Sequence, residues 1–164
     1  MTRIKVTGRV PAPPAAVFER LADLDAHDGL AAPHIRVLDL HGPRGRRTGG
    51  LVELCGPLGV RLRARTRVRS AEFPRELGGT LDTASATRAT LHWRLAPEPG
   101  RTAVTAELCV DPAPAHRVLL ALGGRVWLRR RLATAIDRLM VSSGSGPCRS
   151  SARGPARARR SRAA

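Results

Sequence analysis

Tyrosine is missing from this chain of 164 residues, and aromatic residues make up only 2% of it: Phe18, Phe73, Trp93 and Trp127. A core must therefore be built mainly from Leu, Val and Ala. Modules that hold single-stranded nucleic acid by stacking bases on aromatic rings lack their material here. Lysine is also nearly absent, since Lys5 alone stands among 29 basic residues. The three cysteines, Cys55, Cys109 and Cys148, are odd in number and form no CxxC pair. A disulfide framework is not expected, and a reducing cytoplasm fits best. The opening MTRIKVTGRV alternates polar and apolar residues, unlike the apolar stretch of a secretory signal. The apolar run VLLALGG at 118–124 is far too short to span a bilayer.

Chemical motifs are equally scarce. The five His lack metal-ligand spacing and HExxH does not occur, so no metal is expected. GPRGRRTGG at 42–50 is glycine-rich but matches neither the P-loop nor the dinucleotide fingerprint, so no cofactor is expected either. GxSxG is absent too.

What the chain does have is positive charge, +16 in all. Arg, Ala, Gly and Pro abound together, and their GC-rich codons give one account of the arginine surplus. Whatever its origin, such charge favours contact with polyanions or anionic membranes. Residues 141–164 hold six Arg, no acid and no hydrophobic periodicity. A segment of Ser, Gly, Pro, Ala and Arg buries too little to offset its ordering entropy, so a disordered basic tail is expected there, after a domain of residues 1–140.

Within that domain Ile4, Val6 and Val10 mark a first strand, and Pro11, Pro13 and Pro14 stop it. Pro14 suits the first turn of a helix, and Ala15, Phe18, Leu21 and Ala22 follow at helical spacing. A turn or second small helix is expected over 25–30. The period then becomes two. Strands are expected at 35–40, 51–55, 60–70, 77–84, 89–95 and 102–110, the fifth weakened by Gly78 and Gly79 into a bulge or sheet edge. Cys55 and Cys109 could approach across the sheet. Residues 115–140 return to helical spacing in two stripes, Val118, Leu119, Leu122, Val126 and then Leu128, Leu132, Ile136, Leu139, Met140. The stripes are out of phase, and Gly123–Gly124 between them predict a kink or break.

The stretch GVRLRARTRVRS at 59–70 carries the clearest signal. Arg61, Arg63, Arg65, Arg67 and Arg69 fall on one face of a strand, and Val60, Leu62, Ala64, Thr66 and Val68 on the other. A helix would mix the two sets. The arginine face should be wet and ion-paired in part with Glu53, Glu72, Glu76 or Glu107.

The order strand, helix, small helix, six strands, long C-terminal helix resembles the START-like or SRPBCC superfamily, nearest its polyketide cyclase/dehydrase and lipid-transport branch. The resemblance rests on VTGRVPAPPAAVFERLADLDAH at 6–27, GVRLRARTRV at 59–68, ATLHWRLAPEPGRTAVTAELCVDP at 89–112 and LLALGGRVWLRRRLATAIDRL at 119–139. It implies an α+β helix-grip fold. A curved antiparallel sheet of about seven strands would wrap around the C-terminal helix and leave an apolar cavity between them, with one or two short helices after the first strand. The inward rows expected to line that cavity are Leu62, Ala64, Thr66, then Leu91, Trp93, Leu95, then Val104, Ala106, Leu108. The helix would add Leu119, Leu122, Val126 and Leu132.

Three readings follow. The first is noncovalent binding or transport of a small hydrophobic molecule, with Thr66 as a candidate hydrogen-bond anchor. The second is a cyclase or dehydratase, for which Asp39 near the cavity mouth is the candidate acid/base, a strand-end carboxylate in water being the alternative. His92 should face outward, and His34 and His41 bracket the second strand. The third is a polyanion-interaction module using the arginine-rich face of 61–69 and the basic tail of 141–164, with weak contact to an anionic membrane through Arg residues as a related expectation; Arg129–Arg131 are either a solvated helix face or a membrane-surface contact. An ionisable group inside the cavity would favour the enzyme, and a wholly apolar lining the carrier.

Overall fold

The computed structural model describes residues 1–26, 34–43, 47–56 and 59–143. Strand β1 (Thr2–Val10) leads into helix α1 (Pro14–Ala22) and a short 3-10 turn at Leu24–Ala26. Six strands follow as a meander: β2 (Ile35–His41), β3 (Gly49–Cys55), β4 (Arg61–Glu72), β5 (Glu76–Thr83), β6 (Arg88–Glu98) and β7 (Arg101–Asp111). Helix α2 (Pro114–Leu119), a kink at Leu120–Gly124 and helix α3 (Arg125–Ser143) complete the described chain. All seven strands form one antiparallel sheet in the order β1-β7-β6-β5-β4-β3-β2. This is the expected helix-grip arrangement, with α3 packed on the sheet.

The alternation read in β4 holds through its whole arginine row. All five arginines are exposed, whereas Leu62, Ala64, Thr66 and Val68 are buried or half-buried. Helix α1 starts with Pro14 in its first turn and turns Val17, Phe18 and Leu21 into the core. The expected break in the C-terminal helix is present. Leu122 leaves helical backbone angles and Gly123 adopts φ 112°, a left-handed conformation that glycine takes without strain. A Cβ on Gly124 would lie 2.7 Å from the Leu119 carbonyl oxygen, so the sharp turn needs glycine at both places.

The turn or small helix expected over 25–30 begins as a 3-10 turn at Leu24–Ala26, and 27–33 lie outside the described residues. Two other expectations change. Strand β5 is not an edge strand but sits between β4 and β6. Its glycines answer crowding: a Cβ on Gly78 would be 2.4 Å from Ser70 Oγ, beside the register shift that β4 makes between Val68 and Ser70. Cys55 on β3 and Cys109 on β7 are free, with β4, β5 and β6 between them. Helix α3 runs to Ser143, and the expected basic tail falls almost wholly on 144–164, which lie outside the described residues.

Candidate functional site: the concave face of the sheet

One end of the concave face is closed. Ile136 and Leu139, on the C-terminal half of α3, are fully buried against Val10, Val104, Ala106, Trp93, Leu95 and Leu77, with Val17, Phe18 and Leu21 of α1 completing the cluster. The approach is close enough that a Cβ on Gly8 would lie 2.5 Å from Ile136 Cγ2. Thr102 is buried there and donates its hydroxyl to the Ala12 carbonyl at 2.6 Å, tying β7 to the turn before α1.

The other end is open. Continuing along the same face, Leu108 pairs with Leu91, Leu91 with Gly79 and Gly79 with Val68, and one step further Ala89, Leu81, Thr66 and Gly50 lie in register. Leu108, Leu91, Val68, Leu81, Thr66 and Leu62 are only half-buried. Ala64 and Ala89 are buried but small, and contribute little volume. Among the described residues the concave rows of the sheet contain no ionisable side chain. The Thr66 hydroxyl donates to the Gly50 carbonyl at 3.3 Å, so it is already engaged.

At the rim of this end Trp127 of α3 meets the His34 ring edge-on at 5.8 Å, and the Arg131 guanidinium stacks over Trp127 at 5.4 Å. Burial lowers the His34 pKa from its usual 6.5, and the positive charges of Arg131 and Arg138 lower it further. The Nε of Arg131 is buried and has no hydrogen-bond partner among the described residues. Sequence reasoning missed this cluster because its members are far apart in the chain. It also missed Leu81, whose inward phase is set by pairing with Ala89 and Thr66.

The predicted lining therefore divides. Leu62, Ala64, Thr66, Leu91 and Leu108 lie at the open end, whereas Trp93, Leu95, Val104 and Ala106 belong to the closed core. Leu132 packs against that core from α3. Leu119, Leu122 and Val126 are exposed to solvent, at the kink and on either side of it. Asp39 is also displaced. The register shifts between Val37 and Asp39, so Val37 pairs with inward Val52 but Asp39 pairs with Leu51, which lies opposite Arg65. This bulge turns Asp39 onto the arginine face, where it lies exposed, 3.9 Å from His41. His92 faces outward as expected, beside Glu76 at 3.5 Å.

Two open hollows mark the surface. One, of about 640 Å³, runs along α3 past Val126, Trp127, Arg130, Arg131 and Thr134, on the side away from Ile136 and Leu139. The other, of about 530 Å³, is lined by Asp39 and His41 of β2, Thr66 and Val68 of β4, and the β4 arginines Arg65, Arg67 and Arg69. On the convex face Glu53 lies 3.7 Å from Arg61, Glu107 2.9 Å from Arg3 and Glu76 3.9 Å from Arg94. Arg63, Arg65, Arg67 and Arg69 have no ion-pair partner among the described residues. No group of three or more metal-ligating side chains forms among the described residues, and none of the described helices is long and apolar enough to cross a membrane.

The family model described as polyketide cyclase / dehydrase and lipid transport matches residues 1–141. The chain belongs to this family. Solved structures agree on the fold. Protein Ms6760 from Mycobacterium smegmatis is 18% identical with a TM-score of 0.65, over 88% of this chain and 91% of that one. TTHA0849 from Thermus thermophilus is 16% identical, TM-score 0.65, over 88% and 100%. A START superfamily protein from Mycobacterium smegmatis is 17% identical, TM-score 0.63, over 86% and 98%. At these identities the likeness carries the fold and not a ligand. No curated protein matches the sequence at a significant level.

Proposed function

We propose that this family member binds a small hydrophobic molecule, lipid- or polyketide-like, noncovalently between the open end of the sheet and the N-terminal half of α3. The observation that carries the reading is the row Leu62, Thr66, Leu81, Leu91 and Leu108, apolar or weakly polar, incompletely covered and free of ionisable groups. Each methylene a ligand buries there would contribute about 0.8 kcal/mol, so a medium-length alkyl chain needs no charged anchor. Two unpaired cysteines on distant strands support a reducing, cytoplasmic setting. Residues 144–164 read as a basic extension outside the ligand-binding domain, on composition alone.

Native mass spectrometry of the protein purified from its source tests the reading. A co-purified apolar molecule, and saturable binding of a neutral naphthylamine fluorophore that this molecule displaces, are expected. No co-purified molecule together with flat titrations across a fluorophore panel would refute it.

A cyclase or dehydratase is the second reading, and His34 favours it over the displaced Asp39. His34 is the titratable side chain that stands at the rim beside Trp127, with its pKa lowered by burial and by the charge of Arg131. Turnover of a poly-ketone mimic that His34→Ala abolishes, with fluorophore binding retained, would establish it. Binding without turnover leaves the carrier reading standing.

A further inference from the structure

The residues that left the expected cavity form a surface of their own. Val118 is 58% exposed, Leu119 39%, Leu122 79% and Val126 56%. They fall within nine residues, from the end of α2 through the kink into α3, so the exposed apolar positions are concentrated in one short segment. Single exposed aliphatic residues are ordinary on a protein surface, but a cluster of four marks a contact. The kink itself displays them, since Leu122, the most exposed of the four, sits where the helical backbone breaks.

Around this tip the charge has one sign. Between Asp111 and Asp137 there is no acidic residue and there are five arginines. Arg117, Arg125, Arg129 and Arg130 are exposed beside the patch, and Arg130 shares the α3 hollow with Val126 and Trp127. An aliphatic tip ringed by guanidinium groups matches an anionic bilayer surface. The side chains enter the acyl boundary while the arginines meet lipid phosphates. A second copy of the chain is a poorer match, because pairing two such patches sets like charges face to face on a protein of net charge +16.

We propose that the kinked segment Val118–Val126 docks this protein onto an anionic lipid bilayer. Docking does not depend on the ligand reading. It does bring to the bilayer the N-terminal end of α3, whose Trp127 stands at the rim of the open end.

The test is flotation of the full chain with phosphatidylcholine vesicles and with vesicles enriched in phosphatidylglycerol. The protein is expected to float with the anionic vesicles only, and less so as salt is raised. The exposed double variant Leu122→Ser/Val126→Ser should keep the parent melting temperature and lose affinity by about ten-fold or more. Failure to float with anionic vesicles overturns the proposal. So does flotation that survives the double variant and is lost in Arg63→Gln/Arg65→Gln/Arg67→Gln or in Arg157→Gln/Arg159→Gln/Arg160→Gln, which would assign the contact to the convex face or the C-terminal segment. A vesicle-free dimer that the double variant dissolves would assign the patch to a second copy, and also overturns it.

Discussion

The two ends of one concave sheet face are built from the same residue types and finish differently. At the closed end, Ile136 and Leu139 reach down to Gly8, Val104 and Ala106, and α1 seals the side with Phe18 and Leu21. At the open end, the sheet offers Leu62, Leu81, Leu91 and Leu108, and their burial is left incomplete. Apolar patterning alone therefore does not decide whether a face becomes core or cavity. What decides it is where the helix comes close, and here a glycine on β1 sets that point.

The largest effect should separate the ends directly. Leu139→Ala removes a fully buried side chain and should cost about 3 kcal/mol in denaturant titration, whereas Leu81→Ala should cost about 1 kcal/mol. Equal losses would break the distinction. Gly8→Ala should come next. Its Cβ would meet Ile136 at 2.5 Å, and prying α3 from β1 should cost about 1–2 kcal/mol and lower the melting temperature.

The smallest effect is at the rim. Because the folded-state pKa of His34 lies below its usual 6.5, the unfolded chain takes up this proton first as pH falls. Stability should therefore decline as pH drops from about 6.5 and level off below the folded-state value. His34→Gln should flatten that part of a melting-temperature profile, with no change above pH 7. An unchanged profile would remove His34 from the account.

Much of this architecture could be read from residue order. The two-residue period of 61–69 separated arginines from aliphatics cleanly, and only a strand does that. The phase slip between Leu122 and Leu128, with Gly123–Gly124 between, announced the helix break. The direction of that break was not legible. A stripe at helical spacing says which residues share a face, not what the face meets, so spacing alone puts Leu119, Leu122 and Val126 in the cavity whereas they lie on the surface. Asp39 failed for a similar reason. A one-residue bulge flips every side chain after it, and nothing in IRVLDLH marks the bulge. The Trp127–His34–Arg131 cluster joins residues that only the tertiary fold brings together.

Filling the open end with a ring asks whether there is room beneath α3 for a ligand. Thr66→Phe places a ring on the half-buried inward row of β4, where the open end leaves room for it. A neutral naphthylamine fluorophore should bind the parent protein saturably and the variant at least about ten-fold more weakly, with the melting temperature held or raised. Unaltered fluorophore affinity, or a variant that loses several degrees of melting temperature because the space was already packed, would contradict it.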